Sequence, residues 1–163
     1  MWKKHAFYNP NSDSTYAPSG DNESEMLEIN SKNKNIEKIN NFIVPNLHST
    51  ILEYIESFKF DWFTKWEGYS GLKFIRYFPG QRMRNHCDHI QQIFDGSKKG
   101  IPILSIIGIL NDDYEGGDLI MFEDKTIKTK KGDILLFPSN FLYPHEIAPV
   151  TKGVRYSYVS WVW

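Results

Sequence analysis

The chain from residue 72 onwards alternates short apolar segments with turn residues, and this pattern constrains the fold most. Five segments have the length and composition of β-strands: 72–78, 103–110, 119–122, 134–137 and 156–163. Glycine- and proline-containing turns separate them, as at Pro79-Gly80 and Lys131-Gly132. No helix-length periodic segment lies between them, which disfavours parallel βαβ units. We therefore predict an antiparallel double-stranded β-helix, or jelly-roll barrel.

The first part of the chain has a different composition. Residues 1–29 are mostly polar and are expected to form an arm without regular structure. Residues 30–60 carry apolar residues at helical spacing, and Pro45 divides them into two predicted helices that buttress one sheet from outside. Their apolar stripes are Ile36, Ile39, Phe42 and Ile43, then Leu47, Ile51, Tyr54, Ile55 and Phe58. We expect a single domain over 1–163, mainly β with N-terminal helices (an α+β chain), with its core at 72–163.

Composition and charge narrow the possible partners and location. The chain has 19 basic and 20 acidic residues and a formal net charge of -1, which favours neither nucleic acid nor an anionic membrane. Its single cysteine, Cys87, excludes an intramolecular disulfide and is typical of a reducing cytoplasm. Neither an export signal nor an apolar run long enough to cross a membrane is present in the sequence. We expect a cytoplasmic protein.

His86 and Asp88 are the first candidate metal ligands. On a strand, side chains at i and i+2 point to the same face, so these two can reach one ion while Cys87 points away. His145 completes a set of two imidazoles and one carboxylate, which suits iron(II) and leaves coordination positions open for a cosubstrate and dioxygen. We predict a non-haem iron oxygenase site.

Other metal-binding readings use neighbouring residues. His89 in place of Asp88 would require a helix there, because i and i+3 face differently on a strand. Cys87 is expected to be an ordinary buried thiol. The acidic segment Asp112, Asp113, Glu115 and Asp118 lacks the ligand spacing of a calcium loop and is expected to be a solvated turn.

Arg155 and Ser157 form the second candidate group. Alternation in the last strand puts them on one face with Trp161, and the turn at 152–153 predicts that His145 and Arg155 lie on adjacent antiparallel strands. If that face is the barrel interior, a buried guanidinium needs a counter-charge, which a bound dicarboxylate would supply. The alternative is an ion pair with an acidic residue of this chain, Asp118 or Glu123.

Together these segments resemble the Fe(II)- and 2-oxoglutarate-dependent dioxygenases, in particular the prolyl 4-hydroxylase-like group. The residues that carry the resemblance are Tyr77-x-x-Gly80, His86-x-Asp88, the segment Leu110 to Leu119, Gly132-Asp133, Phe137-Pro138, and His145 followed at ten residues by Arg155. The collagen-type enzymes have lysine at the position of Arg155, so the resemblance is to the oxygen-sensing and microbial branches. Residues 91–100 and the N-terminal third match nothing in the family.

The resemblance implies a role for each matching residue. His86, Asp88 and His145 would bind Fe(II), and Arg155 with Ser157 would hold the distal carboxylate of 2-oxoglutarate. Tyr77 would hydrogen-bond this cosubstrate and Trp161 would form a wall of its pocket. Dioxygen would be the second cosubstrate, with ascorbate as a possible reductant.

The resemblance leaves the substrate open. The first expectation is a prolyl residue in a protein or peptide, hydroxylated at a C–H bond. The alternatives are a 2-oxoglutarate oxygenase acting on a free amino acid, another side chain or a nucleobase, and a cupin-like metal-binding barrel without turnover. The cupin-like alternative does not require Arg155 and Ser157 on an interior face, so this pair distinguishes it from the oxygenases.

Overall fold

The computed structural model describes residues 2–4, 6–7, 17–18, 25–28, 34–59, 68–88 and 102–163. In chain order its elements are β1 (Lys3–Lys4), β2 (Ala6–Phe7), β3 (Ala17–Pro18), β4 (Glu25–Glu28), α1 (Lys34–Ser57), β5 (Lys73–Tyr77), β6 (Met83–His86), β7 (Leu104–Ile109), β8 (Glu115–Gly116), β9 (Leu119–Met121), β10 (Lys125–Ile127), β11 (Ile134–Pro138), β12 (His145–Ile147), β13 (Val150–Lys152) and β14 (Arg155–Val162). Each of the five strands expected from the sequence is present, with its ends within one residue. The mainly β, antiparallel prediction is confirmed.

Two antiparallel sheets make up most of the β structure. The larger has the strand order β1-β4-β5-β14-β7-β11, and the smaller has the order β10-β9-β12-β6. β14 is central in the larger sheet and pairs with β5 on one side and β7 on the other. β13 pairs with β8, and β2 pairs with β3, in two short ladders.

The core has two parts, one on each face of the larger sheet. The first lies between the two sheets and contains Ile75, Tyr77, Met83, Ile107, Ile109, Leu119, Met121, Phe137, Ile147 and Val150. The second lies between the larger sheet and α1 and contains Ile43, Leu47, Ile51, Leu72, Phe74, Leu104, Ile106, Tyr158 and Val162. Successive residues of a strand point to opposite faces, so β5, β7 and β14 each contribute to both parts. A helix covers the outer face of this sheet, as expected.

α1 continues through Pro45, so the prediction of two helices is wrong. Proline removes one hydrogen bond from a helix and usually ends or kinks it. Here Ile43, Leu47 and Ile51 form an unbroken stripe against the sheet, at 8%, 0% and 0% exposure. Because tertiary packing supplies most of the stability of a helix in a protein, this stripe holds the helix together on both sides of the proline.

The predicted apolar stripes are only partly buried. Ile39, Phe42 and Phe58 are exposed, so the expectation that they pack in the core is wrong. Phe42 lies about 100° around the helix from Ile43, whereas Ile39 and Phe58 lie in line with the buried stripe but beyond its two ends. His48 is exposed, as expected for a surface residue.

The N-terminal arm has more regular structure than its composition predicts. β1 and β4 extend the larger sheet beyond β5, and β2 and β3 form a ladder. Main-chain hydrogen bonds to a sheet edge need no apolar periodicity, which is why the sequence pattern missed these strands. Residues 8–16 and 19–24 of the predicted arm lie outside the described residues. In the described ranges, no helix has the length and apolar character that crossing a membrane requires.

Candidate metal centre

β6 and β12 place two histidines opposite each other. The two strands are antiparallel neighbours, and His86 is the direct cross-strand partner of His145. Their ring centroids are 4.4 Å apart. Phe137 packs edge-on against the His145 ring at 4.9 Å, on the side of the core between the sheets. The two imidazoles are therefore fixed by sheet register and by packing.

Asp88 completes the cluster expected from the sequence. Its carboxylate oxygens lie 3.5 Å from Nε2 of His86 and 3.9 Å from Nε2 of His145. The ligand atoms of the three residues lie within 4.8 Å of one another, and this is the only such group in the described part of the chain. β6 ends at His86, so Asp88 reaches the cluster from just beyond the strand end. Cys87 is partly exposed, so the expectation of a buried thiol is wrong, and its thiol donates to the carbonyl oxygen of Phe141 at 3.4 Å.

Hydrogen bonds on the far side of each imidazole orient its ligand atom. Nδ1 of His86 lies 2.7 Å from the carbonyl oxygen of Arg84, and Nδ1 of His145 lies 3.2 Å from that of Tyr143. A carbonyl oxygen only accepts, so Nδ1 donates, and Nε2 is the nitrogen of each ring that faces Asp88. Such a partner is typical of a metal-binding histidine. These main-chain carbonyls could not be identified from the sequence.

The three residues are electrostatically coupled. Burial raises the pKa of Asp88, but a hydrogen bond from His86 and the charges of His145 and His86 lower this pKa by more, so it lies well below its usual range. Burial lowers the pKa of His145, against the opposing effect of the Asp88 charge. The site therefore presents an ionised carboxylate and a neutral imidazole, which are the forms that bind a metal.

A buried pair of serines lies behind Asp88. Ser105 and Ser139 are 0% and 1% exposed, and their hydroxyl oxygens are 2.8 Å apart. A hydrogen bond from Ser105 also lowers the pKa of Asp88, after the contributions of the two histidines. This serine pair is not among the site residues predicted from the sequence. The feature of the sequence that could have indicated the pair is the hydroxyl residue Ser105 in the otherwise apolar strand β7.

Arg155 is buried in the core between the sheets at 1% exposure. Its Nη1 donates to Oγ of Ser157 at 3.0 Å, and its guanidinium lies over the ring of Tyr77 at 5.2 Å from the centroid. Nε and Nη2 have no hydrogen-bond partner among the described residues. The alternative of an ion pair with Asp118 or Glu123 is wrong. Asp118 lies 3.6 Å from Lys128, and both acidic residues are exposed.

The predicted strand neighbours of the site need one correction. β12 pairs with β6 and β9 and not with β14, so His145 and Arg155 do not lie on adjacent strands. They belong to the two different sheets on either side of the inner core. The chain between them forms β13, which pairs with β8, and the turn at 152–153 therefore does not connect β12 to β14 as a hairpin.

Trp161 lies at the other end of β14 from Arg155. Its cross-strand partner is Ser105, and Nζ of Lys73 lies 5.4 Å from its ring centroid. Its buried Nε1 has no hydrogen-bond partner in the described ranges. Ser105 connects this end of β14 to Asp88, so the strand extends from the neighbourhood of the metal ligands to the buried arginine. The role of Trp161 as a wall of the cosubstrate pocket stays a prediction.

Two imidazoles and a carboxylate fit a divalent first-row transition metal such as Fe(II), and the buried arginine fits an anionic cosubstrate. Two imidazoles and one carboxylate occupy three positions and leave others open. Arg155 keeps a buried positive charge with two unused N–H donors, which is costly unless an anion binds there. In the acidic segment Glu115 pairs with Lys152 at 2.7 Å, and all four acidic residues, Asp112, Asp113, Glu115 and Asp118, are exposed.

Proteins of known sequence resemble part of this chain. A PKHD-type hydroxylase of Idiomarina loihiensis is 32% identical over 90 residues, which cover 53% of this chain and 39% of that protein. A PKHD-type hydroxylase of Psychrobacter sp. is 37% identical over 95 residues, which cover 55% of this chain and 36% of that protein. The chain therefore spans about two fifths of the length of these curated relatives.

Solved structures share the fold. The viral collagen prolyl hydroxylase of Paramecium Bursaria Chlorella virus-1, in complex with 2OG, has a TM-score of 0.60 at 21% identity, covering 86% of this chain and 79% of that chain. A prolyl hydroxylase of Trichoplax adhaerens, in complex with a hypoxia inducible factor peptide fragment, has a TM-score of 0.62 at 20% identity. The similarity covers 89% of this chain and 66% of that chain. At these identities the similarity shows the fold alone.

The family itself is shown by sequence. The family model described as the 2OG-Fe(II) oxygenase superfamily matches residues 72–163, which is more than half of the chain. The matched region contains the three clustered ligands, Arg155 and the other predicted cosubstrate residues. The chain belongs to the 2OG-Fe(II) oxygenase superfamily, as its resemblance to the prolyl 4-hydroxylase-like group predicted.

Proposed function

We propose that this protein is an Fe(II)- and 2-oxoglutarate-dependent dioxygenase that hydroxylates a prolyl residue in a protein or peptide. The observation that carries the proposal is the pairing of two features across the inner core. One is the cluster of His86, Asp88 and His145, and the other is Arg155 with unused buried donors. A cupin-like barrel without turnover needs the first feature only. We also infer that the two facing sheets are the halves of a double-stranded β-helix.

His86, Asp88 and His145 would hold the iron through Nε2, a carboxylate oxygen and Nε2. Bound together, iron, 2-oxoglutarate and dioxygen supply an oxidative decarboxylation to succinate and carbon dioxide that is coupled to hydroxylation of a C–H bond. The ionised state of Asp88 gives the site the negative charge that binds the cation. The main-chain carbonyls of Arg84 and Tyr143 keep both Nε2 atoms available.

Arg155 and Ser157 would bind the distal carboxylate of 2-oxoglutarate. The hydrogen bond from Nη1 to the Ser157 hydroxyl fixes one edge of the guanidinium, which lies over the ring of Tyr77. Nε and Nη2 remain able to donate two hydrogen bonds, the arrangement that a carboxylate accepts in bidentate form. Orienting the cosubstrate in one pose is the main contribution of these residues, with exclusion of water by the apolar core around them.

A prolyl substrate is the finer part of the proposal. Three structures with this fold are named as prolyl hydroxylases, and one of them holds a peptide. A substrate of this size would bind outside the core, where β6 and β12 bring the ligands to partly accessible positions. His86 and Asp88 retain 23% and 13% side-chain exposure, whereas Arg155 is closed off from solvent.

Succinate formation tests the proposal. The protein is incubated with Fe(II), ascorbate and 2-oxoglutarate, with and without proline-containing peptides, and the peptide mass is followed for the gain of one oxygen atom. We expect succinate to rise with a prolyl peptide and to be lost in His145→Ala. Equal succinate from His145→Ala and the unmodified protein would overturn the oxygenase assignment. Succinate that rises with another substrate and never with prolyl peptides would overturn the prolyl assignment alone.

A further inference from the structure

Phe122 is exposed beside the metal-ligand cluster. It directly follows Met121, the cross-strand partner of His145, and its N–H donates to the carbonyl oxygen of Pro144 at 3.0 Å. Its ring packs at 5.6 Å against that of Tyr143, yet 46% of the residue remains exposed. The aromatic ring is thus held on the β9 side of His145.

The backbone at Phe122 is in a conformation that a phenylalanine adopts rarely. Its φ is 55° and that of Glu123 is 72°, both in the left-handed region. Glycine or asparagine would occupy this turn with less strain. Strained residues persist where the surrounding structure or a function requires them, and this one presents an apolar ring to solvent.

The loop that enters β12 exposes two more apolar side chains. Phe141 is 70% exposed and Leu142 is 61% exposed. The loop is ordered by Asn140, whose side chain accepts the N–H of Leu142 at 2.9 Å, and by the Cys87 thiol, which donates to the Phe141 carbonyl. Cys87 lies between the ligands His86 and Asp88, so this loop borders the β6 side of the cluster.

Phe122, Phe141 and Leu142 therefore form an exposed apolar rim beside the ligand cluster. Clustered exposed apolar side chains usually mark a binding surface. The N–H of Phe122 donates to the carbonyl oxygen of Pro144, so the turn after β9 and the loop into β12 lie about one strand spacing, or about 5 Å, apart. In an extended peptide, residues i-2 and i+2 point to the same face as residue i, and each lies about 7 Å from it.

We propose that the rim binds a large apolar side chain two residues away from the hydroxylated residue of an extended peptide. This inference rests on the proposed function and names its substrate class. A peptide bound in this way directs its hydroxylated residue towards the metal ligands while the apolar side chain on the same face covers the rim. Glu123 and Asp124, exposed in the same turn as Phe122, disfavour acidic neighbours through like-charge repulsion.

Calorimetric titration of three capped pentapeptides tests the inference. The probes are Phe-Gly-Pro-Gly-Phe, Ser-Gly-Pro-Gly-Ser and Gly-Phe-Pro-Phe-Gly, titrated into the protein loaded with Mn(II) and 2-oxoglutarate without oxygen, so that binding is measured apart from turnover. We expect the first peptide to bind at least about tenfold more tightly than the other two, since burying an apolar side chain typically changes affinity by this factor or more.

Variants show whether the rim causes the preference. Phe122→Asn removes the ring and suits the left-handed backbone, so it is expected to fold with an unchanged or higher Tm. This variant and Phe141→Ser should abolish the preference for the first peptide. Phe42→Ser, which removes a 75% exposed phenylalanine on α1, is the matched control and should leave the preference for the first peptide unchanged.

Equal binding of the three peptides, or a preference that survives in both rim variants, would overturn the inference. Failure of the proposed function is seen separately, because succinate formation from 2-oxoglutarate needs no rim. Succinate formation with no preference among the peptides removes the rim inference alone. Absence of succinate from the Fe(II)-loaded protein, with every substrate offered, removes the proposed function and the inference together.

Discussion

Tyr77 and Arg155 are direct cross-strand partners on β5 and β14, and the guanidinium of Arg155 lies over the Tyr77 ring. Nη1 of Arg155 donates to Ser157, whereas Nε and Nη2 have no hydrogen-bond partner among the described residues. Because the cation is 1% exposed and two of its nitrogens have no partner in the described ranges, the free protein carries a desolvation cost there. An anion bound there would remove this cost, which is the physical reason for proposing that Arg155 binds the cosubstrate.

Arg155→Met should separate these two effects. Methionine fills a similar volume without polar atoms, so we expect the Tm of the metal-free protein to stay the same or rise. The Kd for 2-oxoglutarate should rise about 100-fold or more, since charge-assisted hydrogen bonds to the distal carboxylate are lost. Thermal unfolding with and without 2-oxoglutarate measures both quantities.

Arg155→Lys is the matched variant for this experiment. It keeps the charge but cannot form the bidentate pair, and an intermediate Kd is expected. A large loss of Tm in Arg155→Met without 2-oxoglutarate would show that the arginine is a structural residue.

Ser105→Ala should weaken metal binding without exposing the site. The hydroxyl of Ser105 joins Ser139 to Asp88, so its removal leaves the carboxylate less firmly oriented. Loss of such a supporting group typically reduces metal affinity about 10- to 100-fold. Titration with Mn(II), followed by electron paramagnetic resonance, gives the affinity.

Ser160→Ala is the control, because Ser160 is an equally buried serine on the helix side of β14. Its hydroxyl donates to the carbonyl oxygen of Ser70 at 2.7 Å and has no contact with the ligand cluster. This variant should lower Tm and leave the Mn(II) affinity unchanged. If both serine variants weaken Mn(II) binding equally, the Ser105 contact has no special role.

Local patterns predicted most of this structure, and long-range pairing explains the errors. The prediction that Arg155 and Ser157 share one face of β14 was right because alternating side-chain direction is encoded within the strand. Both residues are buried on its inner face. The expected pairing of β12 with β14 was wrong because pairing partners depend on contacts distant in sequence. Pro45 locally favours a break in the helix, but packing of the whole helix against the sheet overrides this preference.

Tyr158 should make stability depend on pH in a defined alkaline range. Burial raises the pKa of Tyr158 to about 12 from its ordinary value of 10.0. The unfolded chain loses this proton near pH 10 and the folded chain near pH 12, so the contribution is fully present below pH 10 and is lost between about pH 10 and 12. The loss is on the order of 2 kcal/mol of unfolding free energy.

Urea unfolding of the protein and of Tyr158→Phe across this range isolates the effect, because all other titrating groups are common to both. The unfolding free energy of the unmodified protein should fall more steeply above pH 10. Parallel curves for the two proteins would contradict burial of a neutral Tyr158.

Gly108 allows the ring of Tyr158 to lie flat across β7. The two residues are cross-strand partners, and a Cβ at Gly108 would collide with Cζ of Tyr158. Gly108→Ala must therefore displace a 4% exposed ring that packs against α1 and the outer core, and we expect it to lower the free energy of unfolding by about 1–3 kcal/mol.

Gly71→Ala is the matched control, since a Cβ there meets nothing within 4 Å. Urea denaturation compares the two variants, and in the double variant Gly108→Ala, Tyr158→Ala the cost of the added methyl group should largely disappear. A Gly108→Ala protein as stable as Gly71→Ala would show that the ring does not occupy this position.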